Sequence, residues 1–413
     1  MPSEVMAFAA RRGVAGMLLL AALLAGCARS APPPSAAALA TLPWDSVLAR
    51  ARGTTVVWRM WRGDPSVNRF IDDWVAPRLR ARYGVTLQAV NGQGNELVDQ
   101  LTVEREAGAA TGTASLLWIN GETFGALRAR NLLAGPWSHV LPAAAAVDSA
   151  SPIISRDFEQ DPAGYESPWG TVQLALIYDS VRTPAPPRSV AELSAWIRAH
   201  PGRFTYDQSF AGVTFLKGLF YSLNGGVDVY RGGFDSTKYV AGRNTLFATL
   251  DSLEPFLWRR GTQYPTDVAA LHRLFANGEI DFSMSNNQNE AVTKALQGVL
   301  PLTSRALVLR DGTIANAHFL GIPFNAPSAA GAMVVADFLL SPEAQLEKQR
   351  PTVWADGTVL SLSRLPVEWR ARFDSVVNDP RLVPPDALRA SARPEVSPRY
   401  HERLQDDWRR MIR

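Results

Sequence analysis

The sequence predicts an α/β protein of two lobes, each a mostly parallel sheet flanked by helices, with a hinged cleft between them. Three observations predict it. Short β-branched runs alternate with amphipathic helical stretches at a spacing that lays successive strands side by side. That pattern breaks at a long irregular stretch after Pro136 and then restarts. About 370 residues remain once the N-terminus is set aside, more than one ordinary hydrophobic core organises.

The segment set aside is residues 1–26. Arg11 and Arg12 precede an apolar or small run from Gly13 to Gly26. The run is short of the ~20 residues a bilayer helix needs, and it has the build of a secretory signal peptide. Cys27, the one cysteine in 413 residues, follows at once. Leu24-Ala25-Gly26-Cys27 resembles the lipobox of bacterial lipoproteins, in which the cysteine is acylated and begins the mature chain. Residues 27–53 are then expected to be the lipidated cysteine and a flexible linker, its Ala-, Pro- and Ser-rich part running from Ala28 to Pro43. A lone thiol forms no internal disulfide, and the five histidines stand far apart, so neither a metal site nor a cofactor is expected.

The elements follow in order. Thr54–Trp61 is a strand, and Asp64 caps a helix whose first position is Pro65. Val67, Phe70, Ile71, Trp74 and Val75 share one helical face, and Pro77 should kink or split that helix. Val85–Val90 is the second strand. A helix with Leu97, Val98 and Leu101 on one face follows, capped by Asn95. Ser115–Asn120 is the third strand, and Glu122–Leu133 a helix closed by Gly135-Pro136. After the break, Thr171–Asp179 reads as a strand, and Ser189 with Glu192 forms a capping box that opens a helix to His200. Arg203–Tyr206, Ile280–Met284 and Ala306–Leu309 read as further strands. Helices are expected around Phe215–Leu223, Val268–Phe275 and Ala291–Leu296. Gly321–Gln345 ends in a helix, and Ser341-Pro342 starts another.

Composition excludes some partners. The chain is 46% hydrophobic and 20% charged, as in a folded water-soluble protein. The net charge of +3 falls to +2 when Arg11, Arg12 and Glu4 are removed with residues 1–26. The basic residues are scattered, so no nucleic-acid partner is indicated. A monomer is expected.

Four stretches carry a resemblance: Met60–Val85, Leu116–Trp137, Pro168–Ser180 and Gly321–Gln345. Together they resemble the extracellular solute-binding proteins of ABC importers, nearest the YnjB-type branch beside the iron, polyamine and thiamine binders. The resemblance implies a periplasmic-binding-protein-like fold of type II. Lobe 1 would comprise 54–168 plus 306–345, and lobe 2 would comprise 169–305 plus 346–413. It also implies a small-molecule solute, a permease partner in the membrane and an extracytoplasmic location held by lipid on Cys27. A secreted two-lobed hydrolase or a solute-sensing lipoprotein are the alternatives. No G-x-S-x-G elbow, H-E-x-x-H helix or Ser-His-Asp order is present, and no catalytic residue is assigned.

In open α/β sheets, ligands bind beyond the carboxyl ends of strands. That rule nominates Trp61, Arg62 and Asp64 after the first strand, Asn91 and Asn95 after the second, and Asn120, Gly121 and Glu122 after the third. Trp61 is either a stacking platform or a core residue, and the Asn91–Asn95 loop is either a close backbone approach or a plain turn. The second lobe contributes Tyr206, Asp207, Ser209, Asn286 and Asn287, where asparagines are also ordinary helix caps. Trp169, with Tyr165 near it, stands by the expected hinge. Asp64, Glu122 and Asp207 tilt the expectation towards a cationic or nitrogenous organic solute, against Arg62 and the helix starts, which favour anions.

Overall fold

The computed structural model describes residues 33–411; Cys27 and the signal-peptide segment lie outside them. Nine strands form two sheets. The first has the order β2-β1-β3-β8-β4, with β9 on the far side of β8. Its members are β1 (Thr55–Met60), β2 (Thr86–Asn91), β3 (Leu116–Ile119), β4 (Glu166–Gln173), β8 (Thr313–Gly321) and β9 (Ala392–Pro394). The second, β6-β5-β7, is built from β5 (Ala175–Asp179), β6 (Phe282–Ser285) and β7 (Ser304–Leu307).

The two-lobed α/β class is as expected, but the sheets are mixed. β1 pairs in parallel with β2 and β3, because each is joined to the next through a helix that carries the chain back. β8 runs antiparallel to both β3 and β4, and both pairs of the second sheet are antiparallel. Parallel order is therefore confined to the βαβ units at the start and to the β8–β9 pair.

One run read as a single strand is two. β4 ends at Gln173 in the first sheet and β5 begins at Ala175 in the second, with only Leu174 between. The chain returns from β7 to β8 through residues 308–312. Gln173 braces this crossing: its Nε2 donates to Thr313 Oγ1 at 2.9 Å and to Ser391 Oγ at 3.0 Å, and its backbone N–H donates to Gln288 Oε1.

Two apolar cores match the expectation that the length exceeds one. The first gathers Trp58, Phe70, Leu117, Phe319 and Val335. The second gathers Leu176, Phe204, Leu216, Phe282 and Trp408. Their membership corrects two boundaries. The expected linker is folded from Ser35 onward, with helices Ala36–Leu39 and Trp44–Ala51. Ala36, Leu39, Val47 and Ala51 are buried in the first core, since the alanine-rich run forms an apolar helical face. The tail beyond 346 does not belong to one lobe. Leu346, Trp354, Leu360 and Phe373 pack in the first core, and Val396, Tyr400, Leu404 and Trp408 in the second.

Local readings hold or fail for nameable reasons. Asp64 accepts from the Ser66 and Val67 amides and caps helix Pro65–Arg69. Around Pro77, which has no amide donor, the helix widens into a π segment at Phe70–Val75 before helix Ala76–Tyr83. Asn95 is the first residue of helix Asn95–Glu106 and not its cap; Gly94, at φ +59°, takes the cap position. Arg203–Tyr206 forms no strand: it is held by Trp258 N–H donating to Phe204 and Asp281 N–H to Arg203. Among the described residues no helix is long and apolar enough to cross a membrane.

Candidate functional site

The two lobes meet along a crevice, and charged side chains from both converge there. The Asn120-Gly121-Glu122 loop supplies the first group. Helix Gly121–Ala129 begins at Gly121, and a Cβ there would lie 2.2 Å from Phe158 Cδ2, so this position requires glycine. Phe158 sits at the tip of a tight turn, with Phe158 at φ +48° and Glu159 at φ +63°. Non-glycine residues in this region store strain, which the surroundings must hold. Asp157 and Gln160 exchange backbone hydrogen bonds across the turn, and Gln160 Nε2 donates to the Gly121 carbonyl at 2.7 Å. Phe158 is 2% exposed and yet belongs to neither apolar core.

Facing this turn is helix Phe210–Leu223 of the second lobe, apolar but for Lys217. Lys217 Nζ lies 5.1 Å from the Phe158 ring centroid, 2.6 Å from Glu395 Oε1 and 3.1 Å from His401 Nδ1. An ammonium only donates, so His401 Nδ1 accepts and the ring proton stands on Nε2. That nitrogen lies 3.1 Å from Glu122 Oε1. Burial holds His401 well below the usual histidine range, with the charges of Lys217 and Arg409 adding to it.

Four carboxyls gather here. Burial, first of all, pushes Glu122 up to about 7; Glu395 and Glu402 add to this, and Lys217 opposes it. Asp157 is raised well above the usual range by burial and by the charges of Glu395 and Glu122. Glu166, at the start of β4, is raised well by burial and by Asp157, against Arg128. Glu395, just after β9, is raised by burial against Lys217. Among the described residues no three His, Cys, Asp or Glu stand as a metal-holding group.

The nominated residues divide. Glu122, Gly121 and Asn120 lie in this crevice wall; Asn120 Oδ1 accepts from Thr123 Oγ1 at 3.4 Å. Asp64 lies at a second contact, its Oδ2 2.5 Å from Lys294 Nζ, with Ser66 Oγ accepting from Gln297 Nε2 beside it. Trp61 is 40% exposed and folds over Gly63. Arg62 is engaged by Asp72, whose carboxylate it meets with both terminal nitrogens. Asn91 and Asn95 are exposed.

Several others prove to be structural. Trp169 is fully buried, edge-on to Trp58 and Trp118 in the first core. Tyr206 is 2% exposed in the second core, where Trp408 Nε1 donates to its hydroxyl. Asp207 Oδ1 accepts from the Ser209 amide and hydroxyl, and Ser209 caps helix Phe210–Leu223. Asn287 Nδ2 donates to Trp354 O, and the neighbouring Asn289 Nδ2 to Ala355 O, so this amide-rich loop fastens the tail. Asn286, partly exposed, has no hydrogen bond of its side chain recorded here and stays beside that loop.

Lys217, His401, Glu395, Asp157 and Glu166 were not nominated. They come from a helix interior, the tail, a turn and a strand start, positions the strand-end rule ignores. One signal existed: Lys217 is the only charged residue in a 14-residue apolar helix.

Comparison with known proteins adds the lineage. Residues 74–368 match the family model described as bacterial extracellular solute-binding protein. Protein YnjB of Escherichia coli (strain K12) is 36% identical over 346 residues, which cover 83% of this chain and 88% of YnjB. The spermidine/putrescine ABC transporter substrate-binding protein PotD from Streptococcus pneumoniae aligns over 87% of this chain and all of its own, with TM-score 0.59 and 14% identity. Iron-bound HitA from Pseudomonas aeruginosa aligns over 86% of this chain and 99% of its own, with TM-score 0.58 and 17% identity. AfuA from Actinobacillus pleuropneumoniae, with fructose-6-phosphate bound, aligns over 87% and 98%, with TM-score 0.56 and 13% identity. A polyamine transporter's protein, an iron-bound protein and a sugar-phosphate-bound one share this backbone, so the fold leaves the solute open.

Proposed function

Because this chain belongs to the bacterial extracellular solute-binding protein family, we propose that it is a receptor, anchored to a membrane through lipid on Cys27, that hands a small solute to the permease of an ABC importer and catalyses nothing. The observation that carries the receptor reading is the convergence of Glu122 and Asp157 from one lobe on Lys217 and His401 from the other. Two bodies joined by crossing strands, with charged groups at their junction, suit a clamp that closes on a polar solute. Anchoring suits delivery, because tethering raises the receptor's effective concentration at the permease.

Two measurements test this. Cys27→Ser should fold as the parent does and lose both labelled-palmitate incorporation and membrane retention; continued labelling would sink the anchor. Small-angle scattering should show a smaller radius of gyration when a stabilising solute is added, and an unchanged radius would count against the clamp.

A further inference from the structure

We propose that the solute of this receptor is an organic cation, whose ammonium group is taken among Glu122, Asp157, Glu166 and Glu395 in exchange for protons those carboxyls hold. The inference rests on the receptor reading above.

Asp157 and Glu166 are 1% exposed and Glu395 is 5% exposed. Asp157 Oδ2, both oxygens of Glu166, Glu395 Oε2 and Glu122 Oε1 have no hydrogen-bond partner among the described residues. Folded proteins leave few buried polar atoms unmet, and a cluster of them in one crevice is a set of acceptors awaiting donors. Fully ionised, the four carboxylates would face one buried ammonium, that of Lys217. The other cations near them stand at the margins: Arg128 lies over the Tyr165 ring at 3.3 Å, and Arg409 acts on His401. Glu402 and the buried Tyr221 hydroxyl add no positive charge. An unpaired buried charge is costly, so without solute the cluster retains protons.

The kind of cation follows from the lining. An inorganic ion needs several oxygens converging on one point, and these carboxyls form no such group. Phe158 adds an aromatic face buried outside both cores. Lys217 already places an ammonium against that ring and on Glu395, so the crevice accepts an ammonium through a π-face and a carboxylate together. As a solute ammonium pairs with a carboxyl, the O–H bond breaks, the carboxylate keeps the electron pair, and the proton leaves to water.

The test is calorimetry on the mature chain with 1,4-diaminobutane and choline as cationic probes, and citrate and glycerol as anionic and neutral ones. At least one cationic probe should bind about tenfold or more tightly at pH 8 than at pH 6, the equivalent of one pKa unit. Protons should be released, seen as a heat that varies with the buffer's ionisation enthalpy. Glu122→Gln should weaken that binding and flatten its pH dependence. Asp157→Asn should weaken it too, with Glu166→Gln in its place if that variant does not fold. Failure of both cationic probes, or cation binding that ignores pH and Glu122→Gln, overturns the proposal. If citrate or glycerol binds and contracts the protein instead, the cation reading falls while the receptor reading stands.

Discussion

Lys294 Nζ lies 2.5 Å from Asp64 Oδ2, joining residues 230 apart in sequence and one from each lobe. Both side chains are largely buried, at 10% and 13% exposure, so the pair is a latch across the crevice mouth. Asp64 also caps a helix through its other oxygen, which makes Lys294 the cleaner group to remove. Lys294→Met should cost about 1–3 kcal/mol, between the values for exposed and buried pairs. It should also enlarge the ligand-free radius of gyration. Melting and small-angle scattering measure the two effects, and an unchanged radius would show that the latch does not govern closure.

Gln173 makes a second prediction. It is 6% exposed and bonds Thr313, Ser391 and, through its backbone, Gln288 at the point where the chain changes sheets. Gln173→Leu keeps much of the bulk but leaves two buried hydroxyls with a lost partner. Each unmet group costs about 1–3 kcal/mol, so the denaturation midpoint should fall clearly. A midpoint within error of the parent would mean the crossing is braced elsewhere.

Glu122 sets a pH dependence. Its carboxyl is at about 7 when folded and near ~4.3 when unfolded. Between those values the folded protein holds a proton the unfolded chain has released, so stability falls as pH rises through 7. Glu122→Gln should therefore melt with the parent at pH 5 and a few degrees above it at pH 8. His401 acts with the opposite sign below its usual range, but it is common to both proteins and cancels at each pH. Equal melting at pH 8 would refute the assignment.

Gly121→Ala tests the turn. Alanine favours a helix by about 1 kcal/mol over glycine, yet the added Cβ would strike the Phe158 ring. The single variant should lose stability. Adding Phe158→Ala should restore part of it, a coupling that a double-mutant cycle reads directly.

The fold was legible where local rules suffice. β1, β2 and β3, the Asp64 cap and the Ser189 cap follow from side-chain period and capping chemistry alone. The split of β4 from β5 was not, because nothing in Thr171–Asp179 marks Leu174 as the residue where hydrogen-bond partners change. The site was half legible. Glu122 stands at a strand end, where a general rule looks. Lys217 and His401 are separated by 184 residues and meet only because the tail returns to helix Phe210–Leu223. Trp169 misled because an aromatic near a joint reads alike whether it faces solute or packs on Trp58.

The divided tail has a mechanical consequence. Its earlier part is fixed in the first core through Phe373 and its final helix, Pro398–Met411, in the second through Tyr400 and Trp408. The stretch from 378 to 391 is thus a strap of finite slack spanning a joint that two other crossings already share. Three parallel links resist pulling the halves apart far more than they resist rotation about a common axis. The tail therefore sets a stop on opening, and cutting the strap should widen the range of angles without loosening either half.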